Sequence, residues 1–597
     1  MRFHYLLRLL LALLLIFVLQ KVVFMLYHSG MAEGVPFAEC LAALWHGLRL
    51  DVATACYLLV LPAVVVLVSY LFRTFPLRKV MVPYYVIIAI VFSLAFAIDL
   101  ILYGYWGSKP DANDLVYAAK PREALAGLPV WFTILGFIVL AAVVWACVML
   151  LRWVTPKTLT FARTRWQRLS ALLIIPVAGI IFLGMRGSVS ESTANPSFAY
   201  FSSYPFCNHS ALNPTFNMFH SLFKVQDLGA EFDVMSFQEE ERLIGDAYRP
   251  DPTVADTLLR TQRPNVLLVI WEGGGKGMVG DSTVAPNLHR LMKEGVYFSR
   301  CYASSYRTDR GLVSTLSGWP GLPTATIMKR PDLFHGLPSM ASALSKVGYR
   351  TRITFGGDID YTNMRQYFME TGFAEVNGSE SFPSHLYSSA WGVPDGQVLN
   401  EGLLPDQKPF FSAVLTLSSH EPWEVDYRHF NDPRLNAFAY TDSCLGAFVR
   451  KLQASLLWDN LLVVILPDHG ATFLDGQTPA DTAVAAIPIV WAGGALARQG
   501  VVIDCIMNQS DLAATLMAQM GIDVAPFVLS RNVLGENYAQ RRQFAVHSVK
   551  NQVNLITPQA ATSYECVNHT FTPADSQDTR LLQALLQRYY RTTAKCN

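Results

Sequence analysis

The sequence predicts a chain in two parts. An N-terminal α-helical membrane domain of five transmembrane helices is followed by an α/β domain with a mostly parallel sheet covered by helices on both faces. Three observations predict it. Five apolar runs in the first third of the chain are each long enough to cross a bilayer, which takes about 20 residues. Beyond about Arg263, short apolar runs alternate with amphipathic helical stretches. The 597 residues combine 52% hydrophobic with 16% charged residues, too apolar for a wholly soluble protein and too long for one ordinary domain.

The five runs are Tyr5–Tyr27, Val52–Phe72, Val80–Tyr103, Val130–Leu151 and Leu169–Met185. No small-residue cleavage site follows the first, and four more runs come after it. It therefore reads as a retained helix and not as a removed signal peptide. Basic residues set the orientation. Arg2 and Arg8 precede the first run, Arg73, Arg78 and Lys79 follow the second, and Arg152, Lys157, Arg163, Arg165 and Arg168 follow the fourth. The connections after the first and third runs are poorer in Lys and Arg. The positive-inside rule then places the N-terminus in the cytoplasm, and five crossings place everything after Gly187 outside. The expected domains are 1–187 for the membrane helices, 188–262 for a polar, turn-rich linker or arm on the membrane surface, and 263–597 for an extracytoplasmic catalytic domain. Cys207, Cys301, Cys444, Cys505, Cys566 and Cys596 fall in the outside region, where disulfides persist. No CxxC pair suggests a zinc ribbon, and the spacing leaves disulfides and free thiols equally open. A formal net charge of +1 gives no electrostatic footprint for a nucleic acid.

Strand candidates in the second part are "NVLLVIWE" (265–272), "YRTRITFGGD" (349–358), "FFSAVLTLSSH" (410–420), "NLLVVILPDHG" (460–470) and "AAIPIVWAGG" (485–494). Helix candidates between them include "APNLHRLMKEG" and "NAFAYTDSCLGAFVRKLQAS". Near-continuous apolar strands imply burial on both faces. In such sheets functional groups gather at the carboxyl ends of the strands. These strands end in Glu272, Gly356-Gly357-Asp358, Ser418-Ser419-His420 and Asp468-His469-Gly470.

Carboxylate oxygens and an imidazole nitrogen together suit a borderline divalent ion. Glu272, Asp468 and His469 supply three such ligands, with Gly470 letting the chain turn away from the ion. A fourth group then has to be the reacting one. Thr308, in "SSYRTDRGLVSTLSG", precedes a helical run and sits where an N-cap is expected, facing the positive end of the helix dipole. Its hydroxyl, as a metal ligand, is a nucleophile for phosphorus. Arg307 or Arg310 is placed to neutralise a phosphate oxygen.

These residues carry a resemblance to the lipoteichoic acid synthase branch of the alkaline phosphatase and sulfatase superfamily. "NVLLVIWEG" resembles the family's first strand with its metal-binding glutamate, "YRTDRG" its nucleophilic threonine, and "LPDHG" its metal-binding Asp-His. "TLSSHEPW" is similar to the segment whose histidine, here His420, lines the substrate pocket. "NQSDLAATLM" (508–517) is similar to a late helix of many superfamily members. The resemblance implies a sulfatase-like fold in a bacterial cytoplasmic (inner) membrane, and one divalent ion, manganese first, with zinc or magnesium as alternatives. It implies a phosphotransferase whose threonine attacks a phospholipid donor, typically phosphatidylglycerol, and passes the phosphoglycerol group to an envelope glycan or lipid acceptor. The sequence also departs from the family. Phe355-Gly356 stands in place of a substrate-contacting His-Gly, and Thr362-Asn363-Met364 in place of Trp-Asn-Arg. Arg365 is the nearest substitute for that arginine, and Asp358 is a new polar neighbour. Phosphoethanolamine transfer and plain ester hydrolysis use the same metal and threonine logic. A formylglycine sulfatase would need C/S-x-P-x-R ahead of the helix, which neither "CYASSYR" nor "SSYRTDR" provides.

Overall fold

A computed structural model describes residues 2–107, 109–110, 130–160, 170–222, 228–388, 391–400, 403–472, 477–573 and 578–596. Contacts along the chain divide it into two units, Met1–Gln226 and Asp227–Asn597. The division falls inside the stretch expected to be an arm.

The first unit is helical: α1 (Arg2–Tyr27), α2 (Phe37–His46), α3 (Leu48–Val68), α4 (Leu77–Trp106), α5 (Val130–Val154), α6 (Ile174–Arg186), α7 (Pro205–Ala211) and α8 (Pro214–Leu222). Among the described residues, four stretches are long and apolar enough to cross a membrane: Phe3–Tyr27, Phe37–Leu71, Leu77–Gly104 and Thr133–Val154. The expected fifth is shorter. Helix α6 has 13 residues, about 20 Å of rise, with a single 3-10 turn, Ser170–Leu173, before it. Leu169, where that run was expected to begin, and Arg163, Arg165 and Arg168 lie outside the described residues. The chain is thus a multi-pass membrane protein with a C-terminal soluble domain.

Within this unit Tyr5, Leu9, Leu13 and Phe17 recur every four residues on α1 and pack against Leu59 of α3 and Tyr85, Ala89 and Phe92 of α4, the single stripe that a bundle helix turns inward. Among the described residues two ion pairs are buried here: Lys21 Nζ to Asp51 Oδ2 and Lys109 Nζ to Asp99 Oδ2, each 2.6 Å. Asp51 Oδ1 also accepts from Asn213 Nδ2 at 2.8 Å. Charges withdrawn from water persist only when partnered in this way.

The second unit begins with α9 (Phe237–Ile244), whose Glu240 accepts from Arg591 Nη2 at 2.7 Å on the C-terminal helix. Its centre is an eight-stranded sheet: β1 (Asn265–Trp271), β2 (Val296–Tyr302), β3 (Arg350–Phe355), β4 (Glu375–Asn377), β5 (Phe410–Leu415), β6 (Leu461–Pro467), β7 (Ala486–Ala492) and β8 (Val501–Asn508). The order is β8-β2-β7-β6-β1-β5-β3-β4. Only β7 runs antiparallel to its neighbours, β2 and β6. The alternation of β1 explains its unbroken apolarity: Val266, Leu268 and Ile270 enter one core cluster, Leu267, Val269 and Trp271 the other. Helices α10 (Pro286–Glu294) and α13 (Pro433–Gln453) cover the second cluster, and α11 (Thr308–Ser317), α14 (Asp511–Gln519) and α15 (Asp578–Ala594) the first. Here α12 is Met340–Lys346. A four-stranded antiparallel meander, β9 (Ala545–Val549), β10 (Gln552–Ile556), β11 (Ala561–Glu565) and β12 (Thr570–Thr572), follows α14.

One buried pair anchors the start of α14. Asp511 receives Arg531 Nε at 3.0 Å and Nη2 at 2.5 Å, and the backbone N–H groups of Asn508 and Arg531 at 2.8 Å each. Arg531 also lies 4.2 Å over the Phe544 ring. Removing one partner leaves the other charge buried and alone. Arg531→Met is expected to lower stability by about 3–5 kcal/mol, read from the denaturant midpoint of tryptophan fluorescence. A change below about 1 kcal/mol would show that the pair is not the anchor.

Candidate metal centre and nucleophile

Strand register builds the site. Trp271 of β1 stands opposite Pro467 of β6, so the next residues, Glu272 and Asp468, emerge side by side at the carboxyl edge of the sheet. Neither can drift. The Glu272 N–H donates to Thr416 Oγ1 at 3.0 Å, and its carbonyl accepts from Ser419 Oγ at 2.7 Å. Asp468 Oδ1 accepts from the N–H groups of Gly273 (2.9 Å) and His469 (2.8 Å). Its Oδ2 is buried and receives no hydrogen bond.

His469 completes the cluster. Its Nδ1 lies 2.8 Å from the Gly470 carbonyl, which can only accept, so Nδ1 carries the proton. The lone pair of the neutral ring is then on Nε2. That atom lies 3.5 Å from Glu272 Oε1 and 3.4 Å from Asp468 Oδ2. One ligand atom from each of the three residues lies within 4.8 Å of the others.

The electrostatics describe a cluster built for a cation. Burial opposes the Glu272 carboxylate, but hydrogen bonding and charge from His469 outweigh it and hold its pKa down at about 2. Burial, with the Glu272 charge added, pushes Asp468 up to about 7. Burial opposes the imidazolium of His469, yet Asp468 and Glu272 raise it to about 10. At neutral pH the cluster therefore holds a proton, which a bound divalent ion replaces. Two carboxylates, an imidazole with its lone pair turned inward and an unsatisfied buried oxygen fit a divalent metal.

Thr308 is the first residue of α11, and Arg307, in extended conformation, holds the N-cap position instead. The Thr308 hydroxyl donates to Glu272 Oε2 at 3.2 Å and lies 3.4 Å from His469 Nε2. The hydroxyl-bearing neighbours Ser304, Ser305 and Ser314 are fully buried. Helix α11 presses on the metal-site strand: a Cβ on Gly311 would sit 2.1 Å from the Asp468 carbonyl oxygen. Gly470 is needed for the same steric reason and not for a turn. It has no positive φ, and a Cβ there would meet the Val484 carbonyl oxygen at 1.8 Å.

The other expected site residues divide. His420 is an electrostatic neighbour of Glu272; its Nδ1 lies 2.7 Å from the Glu421 carbonyl and its ring 4.4 Å from that of Trp391. Arg310 is lowered in pKa by burial, its Nε has no hydrogen-bond partner, and Nη2 reaches only Thr326 at 3.4 Å. Arg307 is exposed. Arg365 is committed elsewhere: Nε binds Asp360 at 2.7 Å and Nη2 binds Glu380 at 2.5 Å. Asp358 Oδ1 accepts from the Asp360 N–H at 3.0 Å and shapes the turn after β3.

Gln509 was not legible in the sequence. It is fully buried and joins three elements. Nε2 donates to the carbonyls of Asp468 (2.7 Å) and Pro467 (3.1 Å) and to Thr315 Oγ1 (3.1 Å), while Oε1 accepts from the Ser304 N–H at 3.1 Å. The only signal was its place just before the "SDLAATLM" helix, where an amide reads as a cap.

Comparison with known proteins agrees with this geometry. Residues 264–522 match the sulfatase family. The second unit carries a sulfatase-family domain of the alkaline phosphatase superfamily. That domain is similar to a solved structure of an alkaline phosphatase superfamily protein from Vibrio parahaemolyticus, with 25% identity and a TM-score of 0.52 over 62% of this chain and 98% of that one. A lipoteichoic acid synthase-like protein of Bacillus subtilis, YvgJ, is 24% identical over 279 residues, covering 41% of this chain and 45% of that protein. Lipoteichoic acid synthase 1 of Bacillus subtilis is 23% identical over 220 residues, covering 31% and 32% respectively. The matched part therefore spans less than half the length of either curated relative. The sulfatase-family domain supplies a catalytic fold with a candidate metal site, as in enzymes that act on phosphate or sulfate esters.

Proposed function

We propose that the chain is a membrane-bound, metal-dependent phosphotransferase. It moves a phosphoglycerol-type head group from a phospholipid to an envelope glycan or lipid acceptor through a covalent phospho-threonine at Thr308. The observation that carries this reading is the position of the Thr308 hydroxyl, within reach of both Glu272 and His469 at the start of α11. The likeness to lipoteichoic acid synthases supports the choice of a lipid donor.

Glu272, Asp468, His469 and Thr308 would hold the ion, manganese in the first instance, which when bound acidifies a hydroxyl and polarises a phosphoryl oxygen. The rest is the work of the chain. Glu272 Oε2 orients the Thr308 hydroxyl, which gives up its proton to solvent as it attacks, and the helix N-terminus favours the charge that develops on the threonine oxygen. Attack forms a Thr308 O–P bond and breaks the bond to the diacylglycerol oxygen, which leaves with a proton. Arg310, with donors to spare, and Arg307 face the charge of the phosphate. An acceptor hydroxyl then reverses the sequence and frees Thr308. His420, whose Nδ1 is taken by a carbonyl, keeps Nε2 for a proton of the leaving or entering oxygen.

The proposed topology places this chemistry outside the cytoplasmic membrane, with α6 as a fifth crossing. Two contacts support it. His209 of α7 meets Tyr103, near the end of α4, at 3.0 Å, and Asn213 meets Asp51, near the start of α3. After four crossings the chain would lie at the opposite end of the bundle, which supports α6 as the crossing that brings it back.

One observation favours a second reading, phosphoethanolamine transfer. Arg365 is neutralised by two carboxylates, while Tyr361, Trp391 and His420 form a chain of rings with centroids 6.5 and 4.4 Å apart. Aromatic faces suit an ammonium group. Intact-mass measurement separates the readings. The full chain in detergent, with manganese, is incubated separately with phosphatidylglycerol, phosphatidylethanolamine and phosphatidylcholine. A phosphoglycerol adduct on the Thr308 peptide is the expected result. A phosphoethanolamine adduct selects the second reading, and no adduct from any lipid overturns both.

A further inference from the structure

We propose that Cys40 and Cys207 form a disulfide that fastens helix α7 to helix α2 in the membrane unit. On α2, Phe37, Leu41 and Trp45 are exposed and Ala43 is buried. The face carrying Cys40, Ala43 and the following Gly47 is therefore the inward one. There α2 meets α7. A Cβ on Gly47 would lie 2.4 Å from the Ala211 carbonyl oxygen, so the two backbones approach as closely as a glycine permits. Cys207 lies one helical turn before Ala211, on the same face of α7, and is fully buried. The Cys40 thiol is its neighbour in the reduced chain. Neighbouring thiols on closely approaching backbones are the arrangement a disulfide needs, its Cβ atoms standing about 3.8 Å apart.

The inference rests on the extracytoplasmic placement of both residues under the proposed topology, since disulfides persist on that side of the membrane. Cys40 is half-buried and is the thiol that an oxidant reaches. Its thiolate attacks the disulfide of an external thiol-disulfide oxidant, forming a mixed disulfide and releasing one thiol. The Cys207 thiolate then displaces the second. One S–S bond is broken and one is made, and two electrons and two protons pass from the pair to the oxidant's sulfurs. The product holds α7, and through it Asn213, against the buried Lys21–Asp51 pair.

The test is peptide mapping of the full chain, taken from membranes of cells with an oxidising envelope and labelled with N-ethylmaleimide in denaturant at lysis. The expected result is a dithiothreitol-sensitive peptide pair joining Cys40 to Cys207, neither residue labelled. In Cys40→Ser, Cys207 should become labelled. Maleimide on both residues of the wild type, or a bond from either to another cysteine, overturns the proposal. A second arm then locates the fault. If the purified, reduced protein cross-links Cys40 to Cys207 with oxidised glutathione, the contact is right and the placement wrong. If it does not, the contact is wrong.

Discussion

Replacing Thr308 with alanine is expected to lower turnover about 10⁴-fold, equivalent to about 5 kcal/mol of transition-state stabilisation, with little change in metal content or Tm. The fold does not depend on the hydroxyl. Thr308 is half-buried at the first position of its helix, and Arg307, not Thr308, occupies the N-cap. The candidate ligands Glu272, Asp468 and His469 are held by backbone register and by Gly273, Thr416 and Ser419, none of which touches Thr308 in the hydrogen-bond network. What disappears is, among the described residues, the one half-exposed hydroxyl hydrogen-bonded to Glu272 and His469. Thr308→Ser should retain part of the activity, because the oxygen survives and only the rotamer restriction of the β-branch is lost. Initial rates with a chromogenic phosphodiester, alongside metal analysis, decide the matter. Undiminished turnover by Thr308→Ala would remove the residue from the chemistry.

Asp468→Asn is expected to weaken divalent-metal binding about 10³-fold, or about 4 kcal/mol, while leaving the metal-free protein at least as stable as the wild type. The two effects share one cause. Asparagine keeps an oxygen for the N–H groups of Gly273 and His469. It replaces the unsatisfied Oδ2 with an uncharged amide and relieves a buried carboxylate that sits beside Glu272. Without metal the like-charge repulsion is gone. With metal, a negatively charged ligand is missing. Thermal melts with and without manganese measure both at once: the metal-induced rise in Tm should vanish in the variant. A rise equal to the wild type's would exclude Asp468 as a ligand.

Legibility in the sequence followed burial. Strands β1, β5 and β6 were readable because both of their faces are covered, which writes them as unbroken apolar runs. Strands β2 and β8 were missed because "VYFSRCY" and "VVIDCIMN" interleave polar residues, as half-covered strands near a sheet edge do. The reversed direction of β7 leaves no trace in its periodicity, and neither did the meander of β9 to β12. At the site, Glu272 and Asp468-His469 stood out because charged groups directly after apolar strands are conspicuous. Gln509 did not, because its role depends on carbonyls of Asp468 and Pro467 brought to it from 41 and 42 residues away in the chain. The commitment of Arg365 to Asp360 and Glu380 was equally invisible, since it depends on the turn after β3.

The contact of Gly311 with the Asp468 carbonyl, and the bridge that Gln509 makes from that same carbonyl to Ser304, have a dynamic consequence. The strand end bearing the ligand pair and the helix start bearing the hydroxyl are locked into one backbone clamp. A thermal displacement of the strand carries the helix with it, so their fluctuations are correlated and the gap between hydroxyl and carboxylates is nearly conserved. The backbone share of that gap is thereby fixed, which leaves the side-chain rotamers and the substrate to adjust when the reacting atoms meet.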